Sequence, residues 1–154
     1  MDKRYSIRLD PVLCVGCGAC AVACMDQNDL DPKNSQDMFR KITVTERGKG
    51  METEFTYLSQ GCMHCHNAPC IEACPQGCLY KDEQTGFTVY DNTGCVGCRA
   101  CLRACPFGAP VFGRDGKMGK CDGCNERVKH GLEPACVRVC PFGALSLVTG
   151  EGAQ

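Results

Sequence analysis

Residues 95–105 read CVGCRACLRAC, which places Cys95, Cys98, Cys101 and Cys105 within eleven positions, with Pro106 following. Three variants of this run stand elsewhere in the chain. Cys14, Cys17, Cys20 and Cys24 occupy CVGCGACAVAC, with Met25 where the proline would stand. Cys62, Cys65, Cys70 and Cys74 occupy CMHCHNAPCIEACP, with two extra residues before the third cysteine. Cys121 and Cys124 lie in CDGC, and an eleven-residue excursion separates them from Cys136 and Cys140 in CVRVCP. Three thiolates two residues apart can wrap one face of a compact iron–sulfur cube. Gly16, Gly97 and Gly123 let the backbone come close and turn N–H groups towards sulfur. A following proline drives its predecessor towards extended backbone, which turns the fourth thiolate away from the first three. These sixteen cysteines predict four 4Fe–4S clusters.

The alternatives for such a cysteine count are disulfides and zinc. The spacing is too tight and repetitive for a loop-stapling framework, and the count of 17 is odd. The start, MDKRYSIRLDPVLC, has no apolar core of a signal peptide, so the chain is expected to stay cytoplasmic and reduced. Export bound to a partner that carries a signal is compatible with this. No apolar run reaches membrane-spanning length, so direct membrane insertion is not expected. A zinc ribbon uses two cysteine pairs at long separation, whereas three motifs here carry a compact third and fourth cysteine.

Composition agrees. The hydrophobic share is 44%, but cysteine supplies a quarter of it, and there is no Trp, six Phe and four Tyr. An apolar core would be thin, so ligation energy is expected to serve as folding energy. The formal charge is −1, and four clusters would add about −8 to it. Arg99, Arg103, Lys117, Lys120, Arg127, Lys129 and Arg138 are therefore read as compensation for cluster charge, and nucleic acid is not an expected partner.

The connecting segments predict sparse α+β structure. Residues 42–58 alternate apolar and polar around a Gly-containing turn, which reads as a hairpin, and residues 79–90 read as a second hairpin turning near Gly86. NERVKHG reads as a short helix with Asn125 as its cap and Gly131 as its stop. Residues 144–148 read as a strand.

In two-cluster bacterial ferredoxins the last cysteine of each run serves the other cluster. Motifs two and three, joined by one hairpin, suit such a unit, with motifs one and four paired around it. Spacing alone also allows pairing in chain order. The ordered set of four motifs, with HNAPC, CPFGAP, KCDGC and CPFGAL, resembles the iron–sulfur subunit of the dimethyl-sulfoxide-reductase family over about residues 10–148. Similar small subunits accompany tungsten aldehyde oxidoreductases and formate dehydrogenase or hydrogenase complexes.

That resemblance implies nested pairing. Cys14, Cys17, Cys20 and Cys140 would hold one cluster, and Cys62, Cys65, Cys70 and Cys105 a second. Cys95, Cys98, Cys101 and Cys74 would hold a third, and Cys121, Cys124, Cys136 and Cys24 a fourth. The implied fold is two interleaved ferredoxin-like two-cluster units in one domain spanning 1–154. The inner unit covers about 60–110, and the outer unit combines 1–59 with 111–154. Some relatives replace the second cysteine of the third motif and hold a three-iron cluster; Cys98 is present here, so four complete cubes are expected.

Cys78, in CPQGC, aligns with Ala109 and Ala144 and reads as a small buried residue that is not a ligand. His64 and His66 flank Cys65 as hydrogen-bond donors to sulfur or as loop-packing and surface residues, and His130 reads as a helix-end residue. GRDGKMGKC has glycines off by one from a phosphate loop and Cys121 in the Ser/Thr place, so it is rejected as one. No G-x-G-x-x-G, radical C-x3-C-x2-C run, acid–base pair or nucleophile elbow is present.

The chain on its own is thus not expected to be an enzyme. It reads as an electron-transfer subunit serving a large catalytic molybdenum- or tungsten-cofactor subunit of the aldehyde oxidoreductase, formate dehydrogenase or dimethyl-sulfoxide-reductase type. A flavin or other redox subunit at the far end, and self-association suggested by the small size, are further expected contacts. The other reading is a free soluble polyferredoxin carrier or a hydrogenase-associated protein.

Overall fold

The computed structural model describes residues 4–31, 33 and 38–150. Its regular structure is short. The strands are β1 (Tyr5–Leu9), β2 (Lys41–Arg47), β3 (Glu54–Gln60), β4 (Leu79–Lys81), β5 (Thr88–Tyr90), β6 (Val111–Phe112), β7 (Met118–Gly119) and β8 (Leu145–Thr149). The helices are α1 (Ala19–Gln27), α2 (Pro69–Glu72), α3 (Ala100–Ala104), α4 (Asn125–Lys129) and α5 (Ala135–Arg138). The strands form four antiparallel pairs: β1–β8, β2–β3, β4–β5 and β6–β7. Both expected hairpins are present, β2–β3 running from Lys41↔Gln60 to Arg47↔Glu54 and β4–β5 from Leu79↔Tyr90 to Lys81↔Thr88. GRDGKMGKC falls on the β6–β7 hairpin.

Four of the five helices carry a cysteine of the repeat, and their ends follow the proline rule. Cys105, before Pro106, takes φ −81 and ψ 115 and closes α3 in extended geometry. α1 has Met25 in that place and continues through Cys24 to Gln27. The helices also meet in nested order, α1 packing on α5 and α2 on α3. The outer pair is tied by β1 against β8, in register from Tyr5↔Thr149 to Leu9↔Leu145.

Three of the four small apolar clusters contain cysteine. One gathers Ala68, Cys70, Leu79, Cys101 and Met118. Another holds Cys20, Cys136, Val137 and Leu145. A third holds Cys24, Phe39, Val111 and Cys121. The fourth has no cysteine: Phe87 packs with Val89 and Val128, against Tyr5 and Leu147, and so joins the β4–β5 hairpin to α4, β1 and β8.

Asn125 is where the sequence expectation for α4 fails. Cys124 precedes the helix in left-handed geometry, and no side chain caps it. Asn125 is instead buried, accepting a hydrogen bond from Thr85 Oγ1 at 2.6 Å and donating to Asp82 Oδ2 at 3.0 Å. Lys129 Nζ meets the same Asp82 oxygen at 2.6 Å. Burial pushes the Asp82 carboxyl up. Hydrogen bonds from Lys129, Asn125 and the Thr85 and Gln84 N–H groups outweigh it and hold the group well below the usual carboxylate range. Its stabilising contribution is therefore complete above the ordinary carboxylate pKa and is lost as pH falls through the depressed value. Gly131 ends α4 at φ +73, as its position suggests.

Phe87 is fully buried at this junction. Phe87→Ala is expected to destabilise the loaded protein by about 3–5 kcal/mol, and Phe87→Leu by less. Denaturant unfolding followed by the visible absorbance of the clusters measures both.

Candidate metal centres

All seventeen cysteines are free thiols. Cys14, Cys17, Cys20 and Cys140 line one apolar cleft with Leu9, Ile42 and Leu145. Cys74, Cys78, Cys95, Cys98 and Cys101 line a second with Phe112 and Met118. The Cys24 thiol is pushed up by burial and then by Cys121, Cys136 and Cys124, which lie near it in space though far along the chain, while Arg40 acts to lower it. Burial likewise raises Cys70, with Cys62 and Cys105 adding to it. Lys81 stands near Cys62, Cys65 and Cys70 and donates to the Cys65 carbonyl.

The donor set and its surroundings suit a polynuclear group. Among the described residues no three His, Cys, Asp or Glu side chains converge closely enough for a single metal ion. Backbone N–H groups point at sulfur throughout. His64 N reaches Cys62 Sγ at 3.4 Å, Gly123 N reaches Cys121 Sγ at 3.4 Å and Met118 N reaches Cys95 Sγ at 3.4 Å. Sulfur ligands hydrogen-bonded in this way are a recognised lever on iron–sulfur potential.

The residue two after the first cysteine of each motif has positive φ: Gly16 (68), His64 (47), Gly97 (69) and Gly123 (77). At Gly123 the close approach is equally demanding, since a Cβ there would stand 2.5 Å from the Phe87 ring. In the second motif the same backbone turn is made by a histidine, which sends an imidazole inwards.

That imidazole settles the reading of His64. It is buried, its ring lies 4.6 Å from that of Phe87, and its Nδ1 accepts the Thr88 N–H at 3.1 Å. The proton then belongs on Nε2, which faces Cys121 Sγ at 3.7 Å. Burial and the neighbouring Lys120, Lys81 and Arg40 hold its pKa well below the ordinary value, so the ring is neutral. His64 thus addresses sulfur in motif four rather than beside its own Cys65. His66 is exposed and pairs with Arg4, and exposed His130 meets the Glu126 carbonyl at the end of α4.

Cys78 is buried and lies beside the Cys74 group. Its backbone N–H donates to Cys74 Sγ at 3.3 Å, as Ala109 N–H does to Cys105 Sγ at 3.4 Å. The backbone contact repeats where the side chain does not, which suits a packing role for the Cys78 thiol.

Of the seven basic residues singled out in the sequence, only Lys120 is buried. Arg40, not anticipated, is 3% exposed, and Nη1 donates to Ser59 O at 3.2 Å and Oγ at 3.0 Å. Ser59 Oγ in turn lies 3.2 Å from Cys20 Sγ. A single Arg before a strand carries no local signal of this role.

Known proteins show the same pattern. A family profile described as a 4Fe–4S dicluster domain matches residues 53–150, and a second of the same description matches residues 13–78. The B subunit of the anaerobic dimethyl sulfoxide reductase of Escherichia coli K12 is 41% identical over 143 residues, covering 87% of this chain and 68% of the relative. The thiosulfate reductase electron transfer subunit PhsB of Salmonella typhi is 37% identical over 137 residues, covering 88% and 70%. The corresponding dimethyl sulfoxide reductase subunit of Haemophilus influenzae is 36% identical over 142 residues, covering 86% and 67%. With its four groups of thiols suited to four 4Fe–4S clusters, the chain belongs to the 4Fe–4S dicluster family, as an iron–sulfur electron-transfer subunit of the dimethyl-sulfoxide-reductase type.

Proposed function

We propose that this chain relays electrons through four 4Fe–4S clusters to or from a large catalytic subunit that carries a molybdenum or tungsten cofactor. The observation that carries the reading is the fourfold grouping of thiols from distant motifs. Each cluster, when bound, takes up and returns one electron without bond rearrangement. Cys14, Cys17, Cys20 and Cys140 would hold one, and Cys121, Cys124, Cys136 and Cys24 its partner in an outer ferredoxin-like unit. Cys62, Cys65, Cys70 and Cys105, with Cys95, Cys98, Cys101 and Cys74, would hold the inner two.

The shared apolar clusters support a linear order. Cys20 packs with Cys136, Cys24 and Cys121 with Cys62, and Cys70 with Cys101. The order is then the Cys14 group, the Cys121 group, the Cys62 group and the Cys95 group. Cys17 and Cys98, in the two end groups, are exposed, which favours entry and exit at the ends. The chain's part is to bury the middle of this path, hold the sulfurs with N–H groups and offset their charge. Relatives that are subunits of reductase complexes favour a stable subunit over a free carrier. Among the described residues no helix is long and apolar enough to cross a membrane, and a cytoplasmic place for the chain is part of the proposal.

Anaerobic purification of the native complex, with molybdenum, tungsten and iron measured against protein, tests the partner. Either heavy metal in one large co-purifying subunit is expected; neither metal, with iron still high, would overturn it. Native mass spectrometry of the same sample reads whether a flavin subunit or a second copy of the chain is present.

Two substitutions test the ligands. Cys24→Ala is expected to abolish the paramagnetic signal that Cys121→Ala abolishes, leaving the Cys14 signal in place. Loss of the Cys62 signal instead would favour pairing in chain order. Cys78→Ala is expected to retain the full iron and sulfide content, and loss of about a quarter of the iron would make Cys78 a ligand.

A further inference from the structure

Lys120 is 0% exposed, an extreme position for a residue that is almost never fully buried without a partner. Its ammonium donates to the carbonyls of Thr88 and of Cys121, the latter at 2.7 Å, and stands 3.7 Å from Cys62 Sγ. Among the described residues no carboxylate lies within ion-pair distance of it. Two carbonyls offset only part of the cost of burying a whole charge, which is several kcal/mol.

The negative charge available to it is on sulfur. Lys120 reaches the Cys62 sulfur of one thiol group and the Cys121 carbonyl of another. The other groups around it are neutral His64, whose Nε2 also faces Cys121, and Lys81. Lys81 is only half-buried and donates to the carbonyls of His64, Cys65 and Gly86, on the Cys62 side alone. Arg40 lies towards the other end of the path, where Cys136, Cys121, Cys20 and Cys24 surround it. Lys120 is thus the fully buried cation shared by the Cys62 and Cys121 groups, at the junction where the two units meet.

The geometry points to Lys120 as a bridging charge that raises the reduction potentials of the two central clusters together, at the place where an electron crosses between the inner and outer units. This rests on the cysteine grouping proposed above. A cluster on four thiolates carries net negative charge that grows by one on reduction, so a fixed cation between two clusters favours the reduced form of each. The hydrogen bonds to Thr88 and Cys121 keep the ammonium there, which makes Lys120 a positioning residue as well as a charge.

The test is redox titration of the intact complex, followed by paramagnetic resonance. Signals are assigned by their loss in Cys14→Ala, Cys62→Ala, Cys95→Ala and Cys121→Ala. Lys120→Gln keeps hydrogen-bond donors and removes the charge. With iron content unchanged, the Cys62 and Cys121 signals are expected to move to lower potential. The expected change is about tenfold or more in each reduction equilibrium, about 59 mV for one electron. The Cys14 and Cys95 signals are expected to move far less. Unchanged potentials at full iron content, or one equal shift in all four signals, would overturn the proposal. If Lys120→Gln loses iron, Lys120→Arg decides: recovery of iron and of the native potentials supports a charge role, and failure to recover them assigns Lys120 to packing. If Cys62→Ala and Cys121→Ala remove one and the same signal in the otherwise native chain, the cysteine grouping itself is wrong and the bridge falls with it.

Discussion

Thiols packed together in an apolar interior resist ionisation, because each loses water and each thiolate repels the next. Burial drives the pKa values of Cys24, Cys121 and Cys136 upwards, and brings Cys101 and Cys124 to about 11. Iron would reverse that preference by supplying positive charge where the sulfurs converge, so that ligation energy adds to folding energy. The remaining structure follows from this dependence. Strands are short, helices last a turn or two, and three of the four apolar clusters contain cysteine. A chain with no Trp and six Phe has little else with which to order itself.

The β4–β5 hairpin concentrates contacts between distant parts of the chain. Its turn carries Asp82, which binds Asn125 and Lys129 of α4, and Phe87, which packs against His64 and Val128. Thr88 supplies the N–H that orients His64 and the carbonyl that receives Lys120. Polar and apolar contacts here are interdependent. Gly123 has no side chain because Phe87 occupies the space, and Phe87 is held there by the same turn that presents Asp82.

The parts legible in the sequence are those governed by local chemistry. Alternation and turn residues locate the two longer hairpins, and the proline after Cys105 marks where α3 must stop. What stays hidden is set by distant partners. Asn125 has the composition of a cap, yet Thr85 and Asp82, some forty residues away, draw its amide into the interior. Arg40 and Lys120 look alike in the sequence to the exposed Arg99 and Arg138; only the convergence of sulfurs from separate motifs distinguishes them. His64 is an intermediate case, since its place in a CxxC turn is readable but the direction of its ring is not. Strand β1 alternates apolar Tyr5, Ile7 and Leu9 with polar Ser6 and Arg8, a readable pattern, but its partner β8 lies at the far end of the described chain.

That last pairing bears on how the chain is made. Ribosomal synthesis makes β1 and Cys14 well before β8 and Cys140, beside which the structure places them. The opening segment must therefore wait, unpaired, while most of the chain emerges, whereas the cysteines from Cys62 to Cys105 are all available within one short interval. A chain released before β8 and Cys140 are made would leave β1 without its strand partner and Cys14, Cys17 and Cys20 without the fourth thiol that lines their cleft.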